Sequence, residues 1–135
     1  MAKIVLTNPS ITINSVDLTD MVAQVSIDQS FDDVETTAFG SSSRTRVAGL
    51  GDHSVSLTFH QDFAASEVEA TVRPLLGSTC PIVVKPVNAT VTSTNPSYSF
   101  TALVTEWSSI SGAVGDLLTV DVTWPISGAV TQSTS

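Results

Sequence analysis

Positive charge is scarce in this chain: five Lys and Arg stand against 13 Asp and Glu, a formal net charge of −8. That deficit excludes the basic footprint with which proteins neutralise nucleic-acid phosphates, so nucleic acid is repelled rather than held. The imbalance is uneven. Between Lys3 and Arg44 lie six acids (Asp17, Asp20, Asp28, Asp32, Asp33 and Glu35) and no Lys or Arg. Cysteine is nearly missing too: a lone Cys80 forms no internal disulfide, and beside Pro81 it reads as a small core residue. A disulfide-stapled secreted module is thereby excluded. No apolar run approaches the roughly 20 residues of a helical membrane span. The opening Met1-Ala-Lys-Ile-Val-Leu-Thr7 lacks the longer apolar stretch of a signal peptide. The expectation is a chain with no membrane partner, made in a cytoplasm or assembled there into a particle.

The raw materials of catalysis are equally thin. The two histidines, His53 and His60, are seven residues apart, so on one strand they point to opposite faces and make poor joint ligands. Gly-x-Ser-x-Gly, Gly-rich phosphate loops, His-Glu-x-x-His and Cys-x-x-Cys are all missing. The adjacent Asp32 and Asp33 diverge on a strand and are ordinary on a loop, which gives no paired-carboxylate chemistry. Trp107 and Trp124 each close an apolar alternation and read as core or interface packing rather than as stacking platforms for sugars or bases. The expectation is no enzyme, no metal and no cofactor.

Hydroxyls and β-branched residues replace the missing charge. With 20 Ser, 18 Thr and 18 Val, three residue types exceed two-fifths of the 135-residue chain, a mixture suited to pleated surfaces. Period-two alternation marks Ala23-Gln-Val-Ser-Ile-Asp28, Ser54-Val-Ser-Leu-Thr-Phe-His60 and Leu118-Thr-Val-Asp-Val-Thr-Trp124, each with one apolar and one polar face. Tyr98 to Trp107 is a longer run whose alternation slips near Leu103 and Val104, as at a bulge or a strand buried on both faces. Ser10 to Asn14 is a weaker candidate, and in Cys80 to Val87 the two prolines, Pro81 and Pro86, confine the strand to an edge or to strand ends. One helix is expected within Ala64–Gly77, where Val68, Val72, Leu75 and Leu76 fall at helical spacing. Ser66 and Glu69 have capping-box spacing, Pro74 bends or tightens the end, and Gly77 suits a left-handed cap. The fold class is mainly β, with one short flanking α-helix.

Residues 32–51 form the most unusual stretch, with weak strand character from Val34 to Phe39 and then Gly-Ser-Ser-Ser-Arg-Thr-Arg46. A connection of that length in a small domain is either a solvated tip or a docking arm whose Arg44 and Arg46 meet acids on a neighbouring copy. The Ser/Thr-rich segment 129–135 reads as a mobile tail, which leaves residues 1–128 as one domain.

Several segments resemble, in order, the major tail tube proteins of long-tailed phages with non-contractile tails. They are Thr36-Thr-Ala-Phe-Gly40, then Arg44, then Ala48-Gly-Leu-Gly-Asp-His-Ser-Val-Ser-Leu57, the helix ending in Leu75-Leu-Gly77, and Val114-Gly-Asp-Leu117 leading to Val120-Asp-Val-Thr-Trp124. The likeness spans roughly residues 10 to 128, with His53 departing from the family's usual small or polar residue and Ala38 from its usual Ser/Thr. Tubes of contractile tails and of type VI secretion share the architecture. The resemblance implies a β-sandwich or split barrel whose sheets join in hexameric rings, a homo-oligomer that stacks into a tube. DNA and the length-setting tape-measure protein would pass through it, and the protein would reside in the virion. A tail terminator, neck or baseplate-hub ring is the alternative within that architecture, and a carbohydrate- or receptor-binding β-sandwich the alternative outside it. In the tube picture Asp28 and Asp121 are candidate lumen acids, and Phe39, Gly40, Arg44, Arg46, Gly49 and Leu50 are the candidate contacts between rings.

Overall fold

The computed structural model describes Lys3 and residues 5–134, so the opening heptapeptide and the end of the expected tail lie partly outside the described residues. Seven strands form one antiparallel sheet: β1 (Ser10–Ile13), β2 (Val16–Asp17), β3 (Val22–Glu35), β4 (Arg46–His60), β5 (Thr79–Lys85), β6 (Ser97–Leu103) and β7 (Thr119–Ser133). Their spatial order is β2-β1-β5-β6-β7-β4-β3. The first hairpin turns on Asn14 and Ser15, both at positive φ (50° and 67°), the backbone that a two-residue hairpin requires and that Asn tolerates.

The three clearest alternations are strands with the expected face inward. Val55, Leu57 and Phe59 of β4 and Val120, Val122 and Trp124 of β7 are buried, while Val25 and Ile27 of β3 pack on the same core from a more open position. Trp124 is fully buried and donates its indole N–H to the Glu106 carbonyl at 3.0 Å. Cys80 is a buried free thiol, as its setting predicts. β7 is shared by two halves of the sheet. Its first part pairs with β4, from His60↔Thr119 to His53↔Ile126, and its second part with β6, from Ala102↔Ile126 to Ser97↔Ser133. A strand that changes partner midway bends one sheet around a common core, which is how a single ladder acquires a split-barrel form. The core accordingly joins Ile11 and Ile13 of β1 to Phe59 and Trp124 from the far half.

Helix α1 (Val68–Val72) lies over this core through buried Val68 and Val72. Pro74 then tightens the chain into a 3₁₀ turn, Arg73–Leu75, and Gly77 takes a φ of 87° as a left-handed cap does. The expected capping box is not formed. Ser66 sits at φ 63° outside the helix, and the Glu69 carboxylate is bonded elsewhere.

Two further expectations are corrected. The long connection 32–51 shrinks to residues 36–45, because β3 runs to Glu35 and β4 begins at Arg46. The segment 129–135 is not a loose tail: β7 continues to Ser133, so a boundary at residue 128 would cut a strand. Of the two alternatives for β5, an edge or prolines at strand ends, the second holds: β5 is interior, flanked by β1 and β6, and Pro86 falls just past its end. Pro81 fits there because it lies near the strand's start, one residue past the β1 ladder, which ends at Ile13↔Ile82. The slip near Leu103 marks the end of β6, while the ladder irregularity falls earlier, between Ser99 and Thr101.

Candidate assembly surfaces

Register fixes which side chains share a face, since directly paired residues in an antiparallel ladder project to the same side. Asp28 pairs with Ser54, Ser26 with Ser56, and Gln24 with Thr58; across β4, Ser56 pairs with Thr123 and Thr58 with Asp121. The back of the core strands is thus a plane of hydroxyls and amides holding exposed carboxylates, both candidates Asp28 and Asp121 among them and Asp52, opposite Ser30, at its end. The hydroxyls are tied into it: Thr58 donates to Asp121 at 2.7 Å, and the Ser56 and Thr123 hydroxyls lie 3.2 Å apart. This face of the three strands carries no Lys or Arg. The two candidate acids therefore lie on one continuous surface.

Beyond His53 the strands β3 and β4 leave β7 and continue as a two-stranded ribbon. Its geometry follows from a bulge between Phe31 and Asp33, after which Asp33 pairs with Ala48, Val34 with Val47 and Glu35 with Arg46. The extra residue is on β4, where Gly49 and Leu50 stand opposite Asp32, so β3 keeps its alternation: exposed Phe31 shares the core-side face with Asp33 and Glu35, while exposed Val34 and Val47 lie on the other face. Phe31 meets the buried His53 ring edge-on at 5.5 Å. Gly49 belongs to the Val34 face, where a Cβ would come within 2.9 Å of the Val34 side chain. The Phe31 face carries the charges, with Arg46 paired to Asp33 at 3.2 Å and Arg44 to Glu35 at 3.6 Å. At the tip, Thr36 donates its N–H to the Thr45 carbonyl at 2.8 Å, and a turn closes from Ser41 N–H to the Ala38 carbonyl at 3.2 Å, with Gly40 at φ 90°. Phe39 projects from it with no cover.

The six arm residues named from the sequence thus divide between the tip (Phe39, Gly40, Arg44) and the ribbon (Arg46, Gly49, Leu50). Both arginines are paired within their own hairpin by exposed ion pairs worth about 0–1 kcal/mol each. Sequence reasoning missed the exposed pair of Val34 and Val47, because the bulge at Gly49 and Leu50 breaks the alternation along β4.

A second group lies at the other end of β4. Glu69, with its side chain 16% exposed, accepts hydrogen bonds from Trp107 Nε1 at 2.8 Å, Ser109 Oγ at 2.8 Å and Gln61 Nε2 at 3.0 Å. Burial raises its pKa, but these donors, with the Arg73 charge behind them, hold the carboxyl below its ordinary value. Gln61 also donates to the Ser109 carbonyl at 2.8 Å, and its N–H to the Leu118 carbonyl at 2.9 Å. These bonds bind segment 61–69 to the connection 104–118. Neither tryptophan offers a sugar platform: Trp124 is buried, and Trp107 packs edge-on against Phe59 at 5.5 Å. Among the described residues no cluster of three His, Cys, Asp or Glu is placed to hold a metal ion, and no helix is long and apolar enough to cross a membrane.

No protein-family model and no curated protein matches this chain. Solved structures do. A chain in the virion of a native gene transfer agent particle superposes with a TM-score of 0.74 at 13% identity, covering 94% of this chain and 96% of that one. A chain from the tail of an empty gene transfer agent particle, obtained by helical refinement with C6 symmetry, gives 0.66 at 16% identity, over 88% and 87%. A chain from the six-fold symmetrised baseplate of the anti-feeding prophage gives 0.58 at 10% identity, over 99% and 98%. At such identities the likeness is one of fold, and it extends nearly end to end in each pair.

Proposed function

We propose that this chain is a structural tail component, the tube subunit of a phage-like particle. Six copies close into a ring, rings stack, and the lumen passes DNA and a tape-measure protein. The observation that carries this reading is the near end-to-end likeness to a chain of a tail with helical order and C6 symmetry. The surfaces described above fit the role. Closing the sheet with identical neighbours satisfies the outer edges of β3 and β2, which a free subunit leaves open to pairing. The hydroxyl face with Asp28 and Asp121 suits a lumen wall, since it offers phosphates no cation for which to release their counterions. The ribbon and its tip, with Phe39, Gly40, Arg44, Arg46, Gly49 and Leu50, reach the next ring.

The test is direct. Purified protein at high concentration is expected to give rings or tubes under negative stain and a matching mass by light scattering; a strictly monomeric species defeats the proposal. The baseplate likeness favours a second reading, a single closed ring that does not stack, and micrographs showing only isolated rings would select it.

A further inference from the structure

The exposed large apolar side chains fall largely into two groups at opposite ends of β4. One is the arm, led by Phe39. The other is built by the connections that meet at His60: Phe63, Ile110, Val114 and Leu117, exposed at 58%, 78%, 106% and 66%. Gln61 holds these connections together through its bonds to Ser109 and Leu118, and Ser109 is anchored to Glu69 at 2.8 Å. The group therefore presents four apolar side chains from tethered loops. Strand β4 has 15 residues, so the two groups are separated by about 50 Å of extended chain.

We infer that the loop pair 61–67 and 108–118 is the socket for the arm tip of a second copy, resting on the tube reading above and naming the surface that receives the arm. Charge supports this occupant over others. The only ionisable residue in the tip, residues 36–45, is Arg44, whereas those of the two socket loops are Asp62, Glu67 and Asp116, all acids. Arg44 is held in its own hairpin only by an exposed pair with Glu35, which is cheap to exchange for an acid on the neighbour. Two unlike patches at opposite ends make a head-to-tail contact, the heterologous kind that builds open helical stacks where its rotation does not close. A contact of Phe39 with Val114, Ile110 and Leu117 removes from water the most exposed apolar side chains at both ends of the molecule.

The experiment uses single-cysteine additions doped as minor fractions into wild-type assemblies. Phe39→Cys and one of Ile110→Cys, Val114→Cys or Leu117→Cys are mixed, assembled and treated with a short bismaleimide; the native Cys80, 1% exposed, does not compete. The expected result is a covalent dimer on a denaturing gel that requires both variants and disappears when either is left out. Doping keeps wild-type subunits in the majority, so a variant that assembles poorly alone is still read. Tubes that form normally yet give no such dimer at any of the three socket positions, or only the Phe39–Phe39 product, overturn the socket while leaving the tube reading intact. Wild-type protein that forms neither rings nor tubes overturns both.

Discussion

Glu69 is the residue on which one end of the molecule depends. Its carboxylate takes three donors from three segments, Gln61, Trp107 and Ser109, and lies 3.9 Å from Arg73. Replacing it by Ala strands an indole N–H and an amide in a poorly hydrated place. Glu69→Ala is expected to lower unfolding free energy by about 2–3 kcal/mol in denaturant titration. The pH dependence has a definite sign. A carboxyl whose folded pKa lies below its ordinary 4.5 contributes stability that is fully present above that value and is lost as pH falls towards the folded pKa. Asp17 acts alike, its pKa lowered from 3.8 first by the Thr19 hydroxyl and then by the Thr19 N–H at 3.0 Å. Stability measured from pH 6 downward should fall below about pH 4.5, and Glu69→Gln should flatten the upper part of that decline. An unchanged slope in Glu69→Gln would remove the carboxylate from the account. The Ser66 and Glu69 spacing shows what sequence reads badly: a local pattern is satisfied on paper, but a distant tryptophan competes for the same carboxylate and wins.

At the level of elements, the strands were legible and the arm only half so. Val55, Leu57, Phe59, Val120, Val122 and Trp124 alternate without interruption, and every one of them is buried. In the arm, the bulge sets Gly49 and Leu50 of β4 against Asp32 alone and shifts the register, so the face shared by Val34 and Val47 reads as irregular coil. The shared strand β7 was invisible for a different reason. No local pattern records that a strand exchanges β4 for β6 at Ile126, because both partners lie far away in sequence. The tip itself contributes little to the fold, since its charges are exposed and Phe39 touches no core. Deleting Ser41 to Arg46 is therefore expected to leave far-UV circular dichroism and thermal unfolding within about 1 kcal/mol of the parent, yet to abolish tubes under negative stain. Tubes of normal length after the deletion would take the arm out of stacking.

The whole molecule combines an acidic balance with a sheet whose polar face carries hydroxyls and carboxylates but no cation on β3, β4 and the first half of β7. On the proposed tube reading, a duplex sliding along such a wall meets hydrogen-bonding groups engaged with one another, and charges that keep phosphates at a distance. Reversing the two acids should convert the wall into an adsorbing surface: Asp28→Lys with Asp121→Lys moves each subunit from −8 to −4 and places all the new cations on one face. Short duplex DNA should not co-sediment with wild-type tubes. It should co-sediment with the double variant at low salt and be released as salt rises, because each neutralised phosphate contributes its own slope of roughly −0.9 to log binding against log salt. Asp33→Lys with Glu35→Lys, on the arm and off this face, makes the same change to −4 and so separates position from net charge: it should retain far less DNA. Equal retention by the arm variant and by the Asp28 and Asp121 variant would mean that Asp28 and Asp121 do not line the passage.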